Sequence, residues 1–304
     1  MGWLLAVIIG HLLNAVSYVL DKVLLTKSIK DSYAFTFWVG VLGLVAVVLI
    51  PFGFDVPSAG VIAFNLVAGA CFTAALLFFF LALKGSEASR IVPFVGGAIP
   101  VLTLVFELLF LDTKLSGMML VAFAVLVIGT IIIAIDVDAK KGKKEKGSGK
   151  AWWFGLGAAL FFAVSFGLTK IAFDNQEFFS AFIWMRFGSF LFPLTFLLFK
   201  KQRTDIIQSA SLFKEKAGIL YIVAQAFGGV AFVFINYAIS LTSVSIVNAL
   251  QGVQYAFLLL MAIVGSLFYP KLLKESMSKR GLAVKIVAVV IIGIGLYLIA
   301  QYAV

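Results

Sequence analysis

Three ionisable side chains stand inside long apolar runs: His11, Glu107 and Arg186. A charge at the centre of a bilayer-spanning helix costs about 2.5–3.5 kcal/mol on insertion scales, so each needs a compensating role. Glu107 lies five residues before the end of its run, about 7–8 Å deep at 1.5 Å per residue, and Arg186 sits at similar depth from the same side. Those depths permit an ion pair, although each side chain could instead snorkel to the interface. His11 is a candidate proton sensor because imidazole titrates near neutrality before any perturbation. Glu107 is the second candidate for coupling. A hydrogen-bonded packing histidine is the plainer reading of His11.

Amides and phenols extend the pattern. His11, Asn14 and Tyr18 fall at i, i+3 and i+7 on one helix face, as do Asn248, Gln251 and Tyr255. Asn65, Gln225, Asn236 and Tyr237 add polar groups from two further runs. Such side chains orient a small polar molecule without the desolvation cost of a full charge. The expected site lies in the outer half, where Asn65, Asn236, Tyr237 and Asn248 cluster by depth, with aromatic residues as its apolar wall. Interhelical hydrogen bonds worth about 0.6 kcal/mol each are the competing explanation. Pro93, Gly96, Gly97 and Pro100 open one run. The prolines remove backbone donors, so a kink beside a cavity is expected, with Gly252 in the matching place of a later run.

These residues are carried by a very apolar chain. Hydrophobic residues make up 63% and charged residues only 12%, about half the charge of a soluble domain. Lipid is therefore the expected solvent. A hydrocarbon core of about 30 Å needs about 20 helical residues. Ten runs qualify: 2–20, 33–51, 59–83, 90–111, 115–135, 151–173, 179–199, 216–240, 244–268 and 281–303. The expected fold class is all-α integral membrane, with ten transmembrane helices in two inverted five-helix repeats.

The repeats meet at residues 136–150, a segment with six lysines and three glycines and almost nothing to bury. Residues 1–135 and 151–304 are the two copies. AVSYVLDKVLL from Ala15 aligns without gaps on AVSFGLTKIAF from Ala163, and VLVIGTIII from Val125 answers VVIIGIGLYLI from Val289. Five helices per copy is an odd number, so the second copy enters from the opposite face. Inverted repeats of this kind are an architecture of secondary transporters. Polar residues present in one copy only, such as Asn14 against Phe162 and Gln251 against Val95, point to one asymmetric substrate.

Lysine and arginine concentrate in the loops after the first, third, fifth, seventh and ninth runs. The positive-inside rule makes that face cytoplasmic, with the linker inside and both termini outside. A plasma (inner) membrane location follows, multi-pass, with anionic lipid at the cytoplasmic face as the partner of the +10 net charge. The basic residues form no single stripe, so nucleic acid is not an expected partner. The lone Cys71 excludes an intrachain disulfide. No metal and no cofactor are expected.

Order and spacing together resemble the drug/metabolite transporter superfamily, specifically ten-helix proteins of two EamA-type repeats. The resemblance covers nearly the whole chain. It is carried by Ala82–Ile133, with the turn SEAS, the proline-bearing GGAIPVLTLVFELLFLD and KLS, and more loosely by AISLTSVSIVNALQGVQYAF in the second copy. Lys22, Lys170 and Arg186 also fit the family pattern. The acidic residue usual in the turn after the fourth helix is shifted to Asp112, and YPKLLKESMSKR has no close equivalent. The family's usual termini-inside arrangement also conflicts with the charge count, which is followed here. The resemblance implies alternating-access transport of a small metabolite such as an amino acid, amine, sugar or drug-like compound. Proton coupling and a homodimer are both admitted. The alternatives are a polytopic membrane enzyme on a lipid-linked substrate, or a lipid-carrier flippase. The enzyme reading lacks the clustered acids or histidines that hold metal and phosphate.

Overall fold

In the computed structural model the described residues are 2–25, 31–85, 88–111, 113–135, 148–211, 216–268 and 279–302. Twelve α-helices occupy them: α1 Gly2–Leu25, α2 Ser32–Gly43, α3 Ala59–Gly85, α4 Ala88–Phe110, α5 Gly117–Ala134, α6 Ser148–Asn175, α7 Phe178–Leu194, α8 Lys200–Ser209, α9 Lys216–Leu241, α10 Val244–Ala249, α11 Gln251–Phe268 and α12 Lys279–Tyr302. Nine segments among the described residues are long and apolar enough to cross a membrane, and Phe94–Phe110 of α4 is a shorter apolar helix. Most of the expected linker, residues 136–147, lies outside the described residues; α6 already begins at Ser148.

Helix starts follow from their caps. Asp31 accepts the backbone N–H groups of Tyr33 and Ala34 at 3.0 Å, and Glu177 accepts that of Ser180 at 3.0 Å. α2 tightens into a 3₁₀ segment, Leu44–Phe52, which contains Pro51 and stops at Gly53. There φ is +141°, a conformation open to glycine and strained for other residues. α7 likewise ends in a 3₁₀ turn, Thr195–Leu198, after Pro193.

Two features depart from the sequence expectation. The polar helix α8 was not expected. It lies against α2, with Ile206 buried and Ser209 Oγ receiving the Trp38 indole N–H at 2.8 Å. The run expected as one helix over 244–268 is two, broken at Leu250. α4, by contrast, stays helical through Pro93 and Pro100.

α1 packs along α9, α6 along α3, α4 on α6, and α11 on α1; α5 lies on α12 and α2 on α7. The α3–α7 contact is a backbone-to-backbone approach. A Cβ at Gly69 would strike the Met185 carbonyl, and one at Gly188 the Leu66 carbonyl. Hydroxyls lock the same seam: Ser189 donates to Gly69 O at 3.0 Å and Thr73 to Ser189 O at 2.9 Å. Small residues are what allow such an approach in lipid.

Candidate functional site: a cavity floored by Arg186

α3 and α7 are sealed together, but α2 and α9 share no comparable approach. Between them opens a cavity of about 1150 Å³, bounded by α1, α2, α3, α7, α9, α11 and the start of α12. It reaches the face where α3 ends and α4 begins, for Leu83, Val92 and Lys285 line it near those helix ends. Val45, Val48, Ile222 and Val230 line it too and are half or more exposed on the flank between α2 and α9. The wall is mainly apolar. Its polar members are Asn14, Ser17, Tyr18, Gln225 and Tyr255, with two cations, Arg186 and Lys285. None of the described lining residues is acidic.

Arg186 stands at the cavity floor, in the third turn of α7. Its guanidinium carbon lies 4.4 Å from the ring centre of Phe232, 5.0 Å from that of Phe72 and 5.4 Å from that of Phe182. Each cation–π contact is worth about 0.5–2 kcal/mol, more as water is excluded. Three helices, α3, α7 and α9, thus supply one ring each. Gly43 of α2 leaves room beside the stem, 3.8 Å from where a Cβ would stand. Nε is buried and makes no hydrogen bond.

The ion pair expected between Glu107 and Arg186 is not formed. Equal depth does not mean equal azimuth, and Glu107 turns toward α10. Its carboxylate is fully buried and accepts Val244 N–H at 2.8 Å, Ser245 N–H at 3.1 Å and the Ser243 hydroxyl at 2.9 Å. The two backbone N–H groups are orphan donors of a helix start, which carry partial positive charge and suit a carboxylate, and the hydroxyl is that of the N-cap residue. The break that follows is also satisfied, for Thr130 of α5 reaches the freed Ala249 carbonyl at 3.4 Å.

The predicted polar face divides. Asn14, Tyr18 and Tyr255 line the cavity. Asn14 donates to Gln254 Oε1 at 3.2 Å, and Gln251 lies 3.5 Å from the Tyr255 hydroxyl. Gly96 belongs to the same cluster, since a Cβ there would meet the Tyr255 hydroxyl at 3.3 Å. His11 is only 4% exposed and sits beside Gln254 and the Val247 backbone, but neither ring nitrogen reaches hydrogen-bond geometry.

Asn65, Asn236, Tyr237 and Asn248 do not line it, which corrects the expected outer-half cluster. Asn65 exchanges two hydrogen bonds with Gln176, at 2.6 and 3.2 Å, and Asn236 bonds the Phe232 carbonyl of its own helix at 2.8 Å. Asn248 donates to the Thr103 hydroxyl at 3.3 Å. Tyr237 stacks edge-on against Phe178, 5.7 Å between ring centres. Gly97 and Gly252 serve packing, against Ile131 and against Thr130 and Ile292 respectively. Pro100 is buried, whereas the side chain of Pro93 lies outside the described residues. The sequence reading missed Phe72, Phe182 and Phe232. The available signal was the i, i+4 spacing of Phe182 and Arg186.

A crystal structure of another protein has a similar fold, with a TM-score of 0.67 and 16% identity over 97% of this chain and 94% of that one. At that identity the likeness shows the fold alone. No family model and no curated protein match the sequence. The chain is, by the length and apolarity of its helices, a multi-pass all-α membrane protein. Its distinguishing feature is a large cavity with cations and, among the described lining residues, no acids.

Proposed function

We propose that the protein is a secondary transporter of a small metabolite, with ten spans in two inverted repeats that alternate access to the cavity. α4 supplies the tenth span. The observation that carries this reading is the unequal treatment of matching interfaces. If α1 to α5 correspond to α6, α7, α9, α10–α11 and α12, then α1 on α9 answers α6 on α3, and α11 on α1 answers α4 on α6. α5 on α12 and α2 on α7 map onto themselves. The α3–α7 seam should then recur as α2–α9, yet that one is open and holds the cavity. One pair of matching interfaces in two states, closed on one side and open on the other, is what rocking between repeats requires. His11, buried without a hydrogen bond at the α10–α11 break, is the residue on which proton coupling would rest. The order and spacing shared with EamA-type drug/metabolite transporters support the same assignment.

The rocking is tested by spin labels on Val48 and Val230, both on the open flank. Two interconverting distance populations are expected in lipid; one narrow, unchanging distance rejects alternation. By the positive-inside rule the lysine bias supports a cytoplasmic cavity mouth. A single cysteine replacing Gly147, in a Cys71→Ser background, is therefore expected to resist an impermeant thiol reagent in intact cells and to react after permeabilisation. Labelling in intact cells reverses the topology.

A further inference from the structure

We infer that the cavity takes a singly charged organic anion with a bulky apolar body, its carboxylate or equivalent head resting on Arg186. The inference rests on the transporter reading and narrows its substrate. An arginine inside a membrane-spanning helix ordinarily finds a carboxylate or backbone carbonyls. Here the guanidinium has three phenyl faces around it, Nε is buried without a hydrogen bond, and no described acid lies within ion-pair distance. The ion pairs between described residues are Lys84–Asp31 at 4.0 Å and Lys170–Asp174 at 2.7 Å, both elsewhere.

The rings hold the cation but cannot neutralise it. The planar fork is free to present two parallel N–H donors to a carboxylate, the geometry arginine recognises best. Lys285, on the lining near the mouth, adds a second positive charge along the entry path, and no described lining acid opposes it. Among the described lining residues, a cation or zwitterion with an exposed ammonium would meet only like charge.

The wall sets the rest of the molecule. Phe72, Phe79, Phe80, Phe182 and Phe232 face a space of about 1150 Å³, at the upper limit of small-molecule sites, which run to about 1,000 Å³. Acetate or a similarly small ion would leave that wall wet. The flank between α2 and α9, bordered by Val48 and Val230, lets an apolar body extend toward lipid while the head stays on Arg186.

The test uses the full-length protein in nanodiscs and three probes: 2-naphthoate, the matched 2-naphthamide, and acetate. Naphthoate is expected to raise the melting midpoint saturably, with naphthamide and acetate at least tenfold weaker. Arg186→Gln is expected to weaken naphthoate at least tenfold, with Arg186→Lys intermediate. Equal binding of the amide or of acetate, no binding of naphthoate, or full retention in a folded Arg186→Gln protein would overturn the assignment. The wild-type comparison of acid with amide decides the matter even if the variants do not fold. Flux of the same probes in proteoliposomes separates the two claims. Naphthoate that binds through Arg186 without being carried supports the anion site and rejects transport. A naphthamide carried saturably while naphthoate does not bind keeps transport and rejects the anion site.

Discussion

Gly188→Ala is expected to remove the folded protein. The added methyl would meet the Leu66 backbone, and at Gly69 it would meet the backbone of Met185 and Ser189. Backbone cannot rotate aside as a side-chain end can, so α3 and α7 must separate along their length. Overpacking in a tight core costs about 1–3 kcal/mol, and separation also breaks the Ser189–Gly69 and Thr73–Ser189 hydrogen bonds, each worth about 1 kcal/mol. A loss of several kcal/mol approaches the whole stability of a typical domain. Loss of monodisperse protein on size exclusion is the expected readout. Gly293→Ala is the control, since nothing lies within 4 Å of its added carbon; it should be neutral or stabilising by up to about 1 kcal/mol through helix propensity. Equal behaviour of the two variants would contradict the backbone contact.

Glu107→Ala is expected to cost about 3 kcal/mol or more in thermal or denaturant unfolding. The carboxylate is buried and holds three donors from residues 243–245. Hydrogen bonds to a charged group are worth about 1.5–3 kcal/mol each, and a buried N–H left without a partner costs about 1–3 kcal/mol. Glu107→Gln keeps one acceptor oxygen and should fall between wild type and alanine. α10 has only six residues, too few to hold its own start without such a partner. Unchanged stability in the alanine variant would show that α10 does not depend on α4.

Composition made nine spans legible among the described residues, because apolar length alone decides them. The break at Leu250 was not legible. VNALQGV reads as continuous helix, and the interruption coincides with tertiary partners, the Glu107 carboxylate at one end and the Thr130 hydroxyl at the Ala249 carbonyl. α8 escaped notice because KKQRTDIIQS buries little beyond Ile206. For the site, sequence conveys how deep a residue lies but not which way its helix is turned. Asn14, Tyr18, Tyr255 and Arg186 were named and do line the cavity. Asn65, Asn236 and Asn248 were named on the same grounds but turn to Gln176, the Phe232 carbonyl and Thr103. The aromatic floor went unseen because, in a chain of 32 phenylalanines, no single one stands out.

Transport through the cavity is tested most directly by release from loaded vesicles. Proteoliposomes filled with a water-soluble metabolite extract would be diluted into buffer and the medium followed by mass spectrometry. Gly229→Trp serves as the blocked form, since Gly229 lines the cavity and faces open space within 4 Å. The account predicts at least one compound leaving the wild-type vesicles faster than protein-free vesicles, saturably with its concentration, and held back by Gly229→Trp. Release that is the same from wild-type, Gly229→Trp and protein-free vesicles, for every compound in the extract, would contradict it.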